Sequence, residues 1–486
     1  MRRKVLALIT TVCMITSMTV STFAAPPDKP SGREGTEAGG GPGGSSSSTT
    51  SYTGASTITS DTTETGSTYS SSNGSENALL VSGGTSTIKN INVTKTGDSD
   101  DENSDFYGTN AGVLVYNGAT LNIQGGTITT EGAHANGVFA YGDGTINISD
   151  ATITTTENNS GGIMVTGGGT LNANNLTVST AGGSSAAIRS DRGGGTLNVV
   201  GGTYSSSGKG SPAIYSTANV TVNDATLTST SSEGVVVEGA NTVTLNNVTL
   251  EDTNNTHNGK STTYKNIFLY QSMSGDADEG TASFVATGCD ITTNQGDDFY
   301  ITNTTATINL ENNTIVNNDS TGIFLRAEAA AWGTSGSNGG NVTLTTSKQV
   351  MEGDIAVDDI STLKMTMSES SSYTGAINGE NTASSVDLTM DSSSVWVLTG
   401  DSYVSSLSDA ENDYSNINLN GYTLYVDGEA ITSTNYVASD TGDTTENVTT
   451  TDEDTSENIE GMDEIFEMAN EIGKVIAYYI MLFQIA

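Results

Sequence analysis

Short runs of alternating apolar and polar residues return along this chain about every 25 residues. Gly112-Val113-Leu114-Val115-Tyr116 is echoed by Gly137-Val138-Phe139-Ala140-Tyr141 and then by Gly162-Ile163-Met164-Val165-Thr166. A second run follows each at nearly fixed distance: Thr120-Leu121-Asn122-Ile123, Thr145-Ile146-Asn147-Ile148 and Thr170-Leu171-Asn172-Ala173. A third follows those: Thr127-Ile128-Thr129, Thr152-Ile153-Thr154 and Leu176-Thr177-Val178. Period-two alternation over so few residues predicts strands rather than helices. Gly, Asn, Asp and Ser between the runs predict corners. Three strands per period describe one coil of a solenoid, in which each coil stacks on the last.

The expected solenoid covers residues 76–437, beginning near Ala78-Leu79-Leu80-Val81. Its first-strand positions start near 112, 137, 162, 187, 213, 234, 266, 298 and 322, with insertions at 94–110, 251–265 and 270–281. Beyond Arg326 the pattern loosens, yet Asn341-Val342-Thr343-Leu344, Val386-Asp387-Leu388-Thr389-Met390 and Val395-Trp396-Val397-Leu398 still alternate. Residues 25–75 are rich in Gly, Ser and Thr and poor in apolar side chains, which predicts a flexible leader. Residues 438–458 read as an acidic linker. Residues 459–486 take up helical spacing through Ile459, Met462, Ile465, Phe466, Ala469, Ile472 and Ile476, predicting an amphipathic to apolar helix. Its wholly apolar end, 475–486, is shorter than the ~20 residues that a membrane span needs.

Strand alternation also assigns faces. Val113, Val138, Ile163, Ile188, Ile214, Val235, Ile267, Phe299 and Ile323 form the expected inward column of the first strand. Asn122, Asn147, Asn172 and Asn198 are outward on the second, as a solvent face should be. The first strand breaks that rule. Its outward column is Leu114, Phe139, Met164, Arg189, Tyr215, Val236, Phe268, Tyr300 and Phe324, followed by a column with Tyr116, Tyr141, Asp191, Glu238, Tyr270 and Arg326. An apolar outer face marks a binding site or a covered surface. Two readings compete. Either the aromatics form a groove for extended glycan, stacking on sugar faces, or the chain covers its own sheet. The C-terminal helix would span roughly 42 Å and nine rungs roughly 38 Å at about 4.8 Å each, and the insertion loops offer a second cover.

Charge narrows the partners. With 56 acidic and 16 basic residues the formal net charge is −40, which opposes nucleic acid and anionic lipid. The basic start Met1-Arg2-Arg3-Lys4, the apolar run Val5 to Met18 and Thr22-Phe23-Ala24 read as a secretory signal over residues 1–24, implying a secreted or cell-surface protein. Cys13 lies inside that signal, so the mature chain would keep one cysteine, Cys289, and no intrachain disulfide.

Candidate chemistry is sparse. Arg189, Asp191 and Arg192 form the sharpest catalytic candidate, since an arginine base beside carboxylate-bound Ca²⁺ would suit a uronate lyase; an Arg–Asp structural pair is the plain alternative. Asp297-Asp298 resembles a paired-carboxylate hydrolase motif but falls on an expected turn. Asp98, Asp100 and Asp101, and separately Asp276 and Asp278, are acidic loop clusters of the kind that attract Ca²⁺, without the spacing of a calcium loop. No cofactor motif is present and no zinc set exists around His134 or His257. The Thr127/Thr129 and Thr152/Thr154 rows resemble an ice-binding array, but in sequence they lapse at Leu176-Thr177-Val178 and Thr203-Tyr204-Ser205.

On Gly137 to Gly144 (GVFAYGDG), Ala186 to Thr196 (AAIRSDRGGGT), Leu269 to Asp276 (LYQSMSGD) and Val395 to Tyr403 (VWVLTGDSY), the chain resembles exported bacterial right-handed parallel β-helix proteins, pectate-lyase-like and adhesin-like. More narrowly it is similar to uncharacterised secreted proteins of anaerobic Gram-positive bacteria. The resemblance covers roughly 75–430 and implies fold and export, not an activity. The expected molecule is therefore an all-β, right-handed parallel β-helix acting as an adhesin-like binding protein. Glycan is the expected ligand, along Phe139, Tyr141, Arg189, Asp191, Tyr215, Phe268, Tyr270 and Phe324. A polysaccharide lyase or glycoside hydrolase on the same face, and a structural or protein-binding spacer, are the alternatives.

Overall fold

The computed structural model describes residues 50–259 and 261–437. The expected signal segment, the acidic linker and the C-terminal helix lie outside the described residues. Within them the chain is a coil of parallel strands, with an antiparallel pair, Leu424–Val426 with Glu429–Ile431, near residue 430. One sheet has twelve, Gly54–Ile58, Asn77–Val81, Val113–Val115, Val138–Tyr141, Ile163–Thr166, Ile188–Ser190, Ile214–Ser216, Val235–Glu238, Lys265–Tyr270, Asp297–Thr302, Leu325–Ala327 and Ile355–Val357, each beside the strand of the next coil. Rungs register residue on residue: Val113 on Val138, Val138 on Ile163, Ile163 on Ile188, Ile188 on Ile214, Ile214 on Val235, Val235 on Ile267 and Ile267 on Phe299. Each of these side chains is fully buried. Burial of one such side chain contributes about 1.5–3 kcal/mol, repeated every rung.

One rung departs from the expected column. Phe299 pairs with Leu325, not Ile323, and Tyr300 with Arg326. The turn before this strand holds Asp319, which bonds the Thr321 backbone at 2.9 Å, and its extra residues shift the register by two.

The expectation of three separate strands per coil holds only in part. In the early coils the second and third runs are one continuous strand, as in Thr120–Thr130, Thr145–Thr155, Gly169–Thr180 and Gly195–Ser206. Later they separate, as in Asn219–Asn223 and Thr226–Ser229. The bend between them is a left-handed residue at the same place in each coil: Asn90, Gly125, Asp150, Asn175, Gly201, Asp224, Asn247, Gly288 and Asn312, with φ between 50° and 75°. Asn, Asp and Gly tolerate that region best, which is why the corner is so narrow in composition. Cys289 follows one such corner, buried and unoxidised in the core.

The first coil starts earlier than expected. Gly54–Ile58 pairs with Asn77–Val81, setting Ile58 on Val81, while Thr63–Thr65 and Thr68–Ser71 pair with Thr85–Lys95. Part of the stretch read as a leader is therefore a Ser/Thr-rich coil. Only Ile58 and Tyr69 are buried apolar residues there; the exposed edge of the next coil supplies the backbone partners that composition alone does not advertise.

At Gly126 φ is +115°, and a Cβ would lie 2.1 Å from the Ile91 carbonyl oxygen and 2.5 Å from the Ile91 nitrogen. Gly288 has φ +64° with open space around it. Gly126→Ala is expected to lower stability by roughly 1–3 kcal/mol, and by more than Gly288→Ala. Denaturant midpoints for the two variants check this.

Candidate functional site

Over the rungs from Leu114 to Tyr300 the outward face of the twelve-stranded sheet is not a groove; an open pocket of 310 Å³ lies beyond them, around Arg326, Glu328, Asp354, Ala356 and Glu380. Phe139 and Met164 are 0% exposed, Tyr215 3%, Phe268 and Tyr270 4%, Arg189 4% and Asp191 5%. Loops cover them. The helix Asn103–Tyr107 lies over the early rungs, where the Phe106 carbonyl accepts the Thr166 hydroxyl at 2.6 Å. The ring of Tyr107 meets Tyr141 edge-on at 5.6 Å, and that of Tyr52 packs at 4.4 Å from Tyr116. Further along, Trp332 sits 5.4 Å from Phe268 and 5.5 Å from Tyr270. Tyr141 alone of the expected aromatic ligands is half-buried. Phe324, expected outward, is inside the main core 5.3 Å from Phe299, as the shifted register requires. Of the eight residues expected to bind glycan, Phe139, Tyr215, Phe268 and Tyr270 therefore belong to apolar clusters under the covering loops, with Arg189 and Asp191 buried beside them, Tyr141 at their margin and Phe324 in the main core.

Arg189, Asp191 and Arg192 do come together. Arg189 donates to the Ser184 carbonyl at 3.2 Å and to Asp191 at 3.1 Å. Burial pushes the Asp191 carboxyl up to about 6, against the opposing pull of Arg189. Arg192 turns the other way, bonding Asp276 at 2.8 Å with its guanidinium 3.8 Å from the Phe106 ring. The trio clasps two covering loops, and Arg189 and Asp191 have no open path to a polymer. Next to it Glu238 accepts from Tyr215 at 2.5 Å, from Tyr270 at 2.9 Å and from Ser272. Burial raises its carboxyl, while these three hydroxyls pull the other way.

The acidic loop residues are used as turn and loop ties. Asp98 accepts the Ala133 amide, Asp101 the Asn103 amide, and Asp276 is bound to Arg192. Among the described residues no three His, Cys, Asp or Glu side chains are gathered to hold a metal, and Asp98, Asp100 and Asp101, like Asp276 and Asp278, form no such group.

Sequence reasoning missed a line of charges along the edge of the first sheet. Glu233 lies 3.6 Å from Lys265, Lys265 is registered on Asp297, and Asp297 holds Arg326 at 2.6 Å. Asp297 and Asp298 do not form a turn: they open the strand Asp297–Thr302 and are buried. Asp298 accepts the Thr293 hydroxyl at 2.6 Å, and burial pushes its carboxyl up to about 7. The only signal in sequence was the position of each acid one or two residues ahead of an inward apolar residue.

What remains open is the second and third strand faces. Asn147 donates to Asn122, Asn172 to Asn147 and Asn198 to Asn172, each at 2.8 or 2.9 Å. This amide row lines a concave pocket of 360 Å³ with Gln124, Asn174 and the 43% exposed Val200. Beside it one threonine row is unbroken and the other passes through serine at Ser179 and Ser205. Thr127, Thr152, Thr177, Thr203, Thr226 and Thr249 are successive partners, as are Thr129, Thr154, Ser179, Ser205 and Thr228, and all face solvent at least in part. The apparent lapse in sequence was a one-residue misalignment of Leu176 and Val178.

The native protein holds the Asp298 proton to about pH 7, whereas an unfolded chain releases it near about pH 3.9. Between those values unfolding releases a proton, so rising pH favours the unfolded chain and stability falls. Asp298→Asn is expected to make the fall in unfolding midpoint between pH 4 and pH 7 shallower than in the native protein. Parallel pH profiles would contradict the assignment.

The family described as right-handed β-helix region matches residues 213–347, the central coils. No curated protein matches the chain. Register, repeat and family match together make this a right-handed parallel β-helix protein.

Proposed function

We propose that the protein is an exported, adhesin-like β-helix that binds a neutral polysaccharide on the open face of its second and third strands. The observation that carries this reading is the absence of charge there. Across the second- and third-strand stretches 120–130, 145–155, 169–180, 195–206, 219–229 and 242–246 the charged residues are Asp150 and Asp224, both at corners. On a chain of net charge −40 this leaves a neutral strip of amides and hydroxyls. Such rows both donate to and accept from sugar hydroxyls without stripping water from an ion. Repetition at about 4.8 Å offers a polymer many equivalent contacts. Export rests on the basic and apolar start of the chain. Among the described residues no helix is long and apolar enough to cross a membrane.

The lyase alternative loses its support where Arg189 and Asp191 lie under loops. A second binding reading, ice, is favoured by the unbroken threonine row from Thr127 to Thr249 and the mixed Thr/Ser row beside it, which end where Asp290 and Glu251 take their places.

A glycan array probed with the full chain, with Ca²⁺ varied, tests the proposal. Binding to neutral glycans that weakens at least ten-fold in Asn147→Ala/Asn172→Ala, and stays unchanged in Arg192→Ala, is expected. Silence towards every glycan, or equal loss in Arg192→Ala, would overturn it; thermal hysteresis of the same sample would then support the ice reading.

A further inference from the structure

Lys265, Glu233 and Asp252 are buried together at the edge of the first sheet, and the surface reading above uses none of them. The Lys265 side chain is 1% exposed and that of Glu233 9%, with Nζ and Oε1 3.6 Å apart. The Lys265 ammonium lies 4.5 Å from the Phe268 ring centroid and 5.0 Å from that of Tyr300, so the pair is walled by aromatics. Ser232 donates to the other Glu233 oxygen, Oε2, at 2.6 Å. Asp252 is 0% exposed, and apart from the Asn254 backbone amide its carboxylate has no hydrogen-bond donor among the described residues. It occupies the corner column between Ser229 and Thr293, where neighbouring coils carry hydroxyls. A fully buried, thinly satisfied carboxyl in place of a hydroxyl is costly unless it has work to do.

We propose that Lys265 and Glu233 become joined by an amide bond between Nζ and Cδ, with Asp252 as the proton relay. In this dry setting burial lowers the affinity of Lys265 for its proton and raises that of Asp252. Passage of one proton from the Lys265 ammonium to Glu233 leaves an amine facing a carboxylic acid across the 3.6 Å contact, the arrangement in which proximity replaces a bimolecular encounter. Nζ attacks Cδ and forms one C–N bond. The Ser232 hydroxyl polarises Oε2, which remains as the amide oxygen. Asp252 takes a proton from nitrogen and delivers one to Oε1, so that the C–O bond breaks and Oε1 leaves as water. Asp252 ends as it began, and no oxidant or activating group is consumed.

The bond would tie the lead into Val235–Glu238 to the start of Lys265–Tyr270 and so bracket the insertion between them, which Asn254 also anchors by donating to the Lys265 carbonyl at 2.9 Å. Among the described residues the cysteine is single and free, so no disulfide there can brace the molecule.

Tryptic peptide mapping of the folded, full-length protein reads the outcome. The expected product is peptide 210–260 joined to 261–326, uncut at Lys265 and one water lighter than the sum of the two. Lys265→Arg keeps the charge and should restore separate peptides, and Asp252→Asn should leave most of the chain unjoined while circular dichroism shows the fold retained. Recovery of only linear, cleavable peptides from folded native protein would reduce the contact to an ion pair and overturn the proposal. A full yield of joined peptide in Asp252→Asn would overturn the role of Asp252.

Discussion

Every coil of this protein hands its backbone donors and acceptors to the coil beside it, residue for residue. In a parallel ladder those bonds are evenly spaced, so a slip at one rung would carry through the rest. The left-handed corner at Asn90, Gly125, Asp150, Asn175 and Gly201 sets where each coil bends, and hence which side chains fall in line. Isoleucine then stacks on isoleucine inside, asparagine on asparagine outside, and the amide row from Asn122 to Asn198 follows from the same constraint. Stability in such a molecule resides in nearest-neighbour interfaces rather than in one central core.

The constraint has a consequence on the first sheet. Once Leu114, Phe139, Met164, Tyr215 and Phe268 are locked into one outward column, they present apolar surface too large to leave in water. The insertions answer this. Covering loops supply Phe106 and Trp332, and they are tied down by contacts such as the Arg192–Asp276 ion pair and the His134–Asp105 hydrogen bond. Exposed, the Arg192 pair contributes at most about 1 kcal/mol, so the cover is held mainly by burial. Among the described residues no loop covers the polar face of the Asn122–Asn198 row.

Much of the fold was legible in the sequence because the repeat encodes it twice, in the inward column from Val113 to Phe299 and in the Gly, Asn and Asp corners. The reading slipped at Ile323 and Phe324, where the added turn residues around Asp319 leave no trace in the alternation pattern. It also passed over the coil at Gly54–Ile58, whose threonines and serines look like leader composition and whose strands find their backbone partners on the next coil. The odd aromatic column was visible, and so was the choice between groove and cover. The choice itself was not, since Trp332 and Tyr52 lie far in sequence from the rings they meet and no periodicity links them. The buried line of Glu233, Lys265 and Asp297 was equally hidden, because charged residues next to a strand read as solvent-facing until the register is known.

The claim on which this account turns is that the outer aromatic face of the first sheet is a core, not a surface. Met164 lies within it, 0% exposed, and Met273, in an insertion, is 50% exposed. Dilute peroxide on the folded protein, followed by peptide mass spectrometry over time, compares the two directly. Rapid oxidation of Met273 with Met164 untouched until the protein unfolds is the expected result. Oxidation of Met164 at the rate of Met273 would contradict the account and reopen the groove.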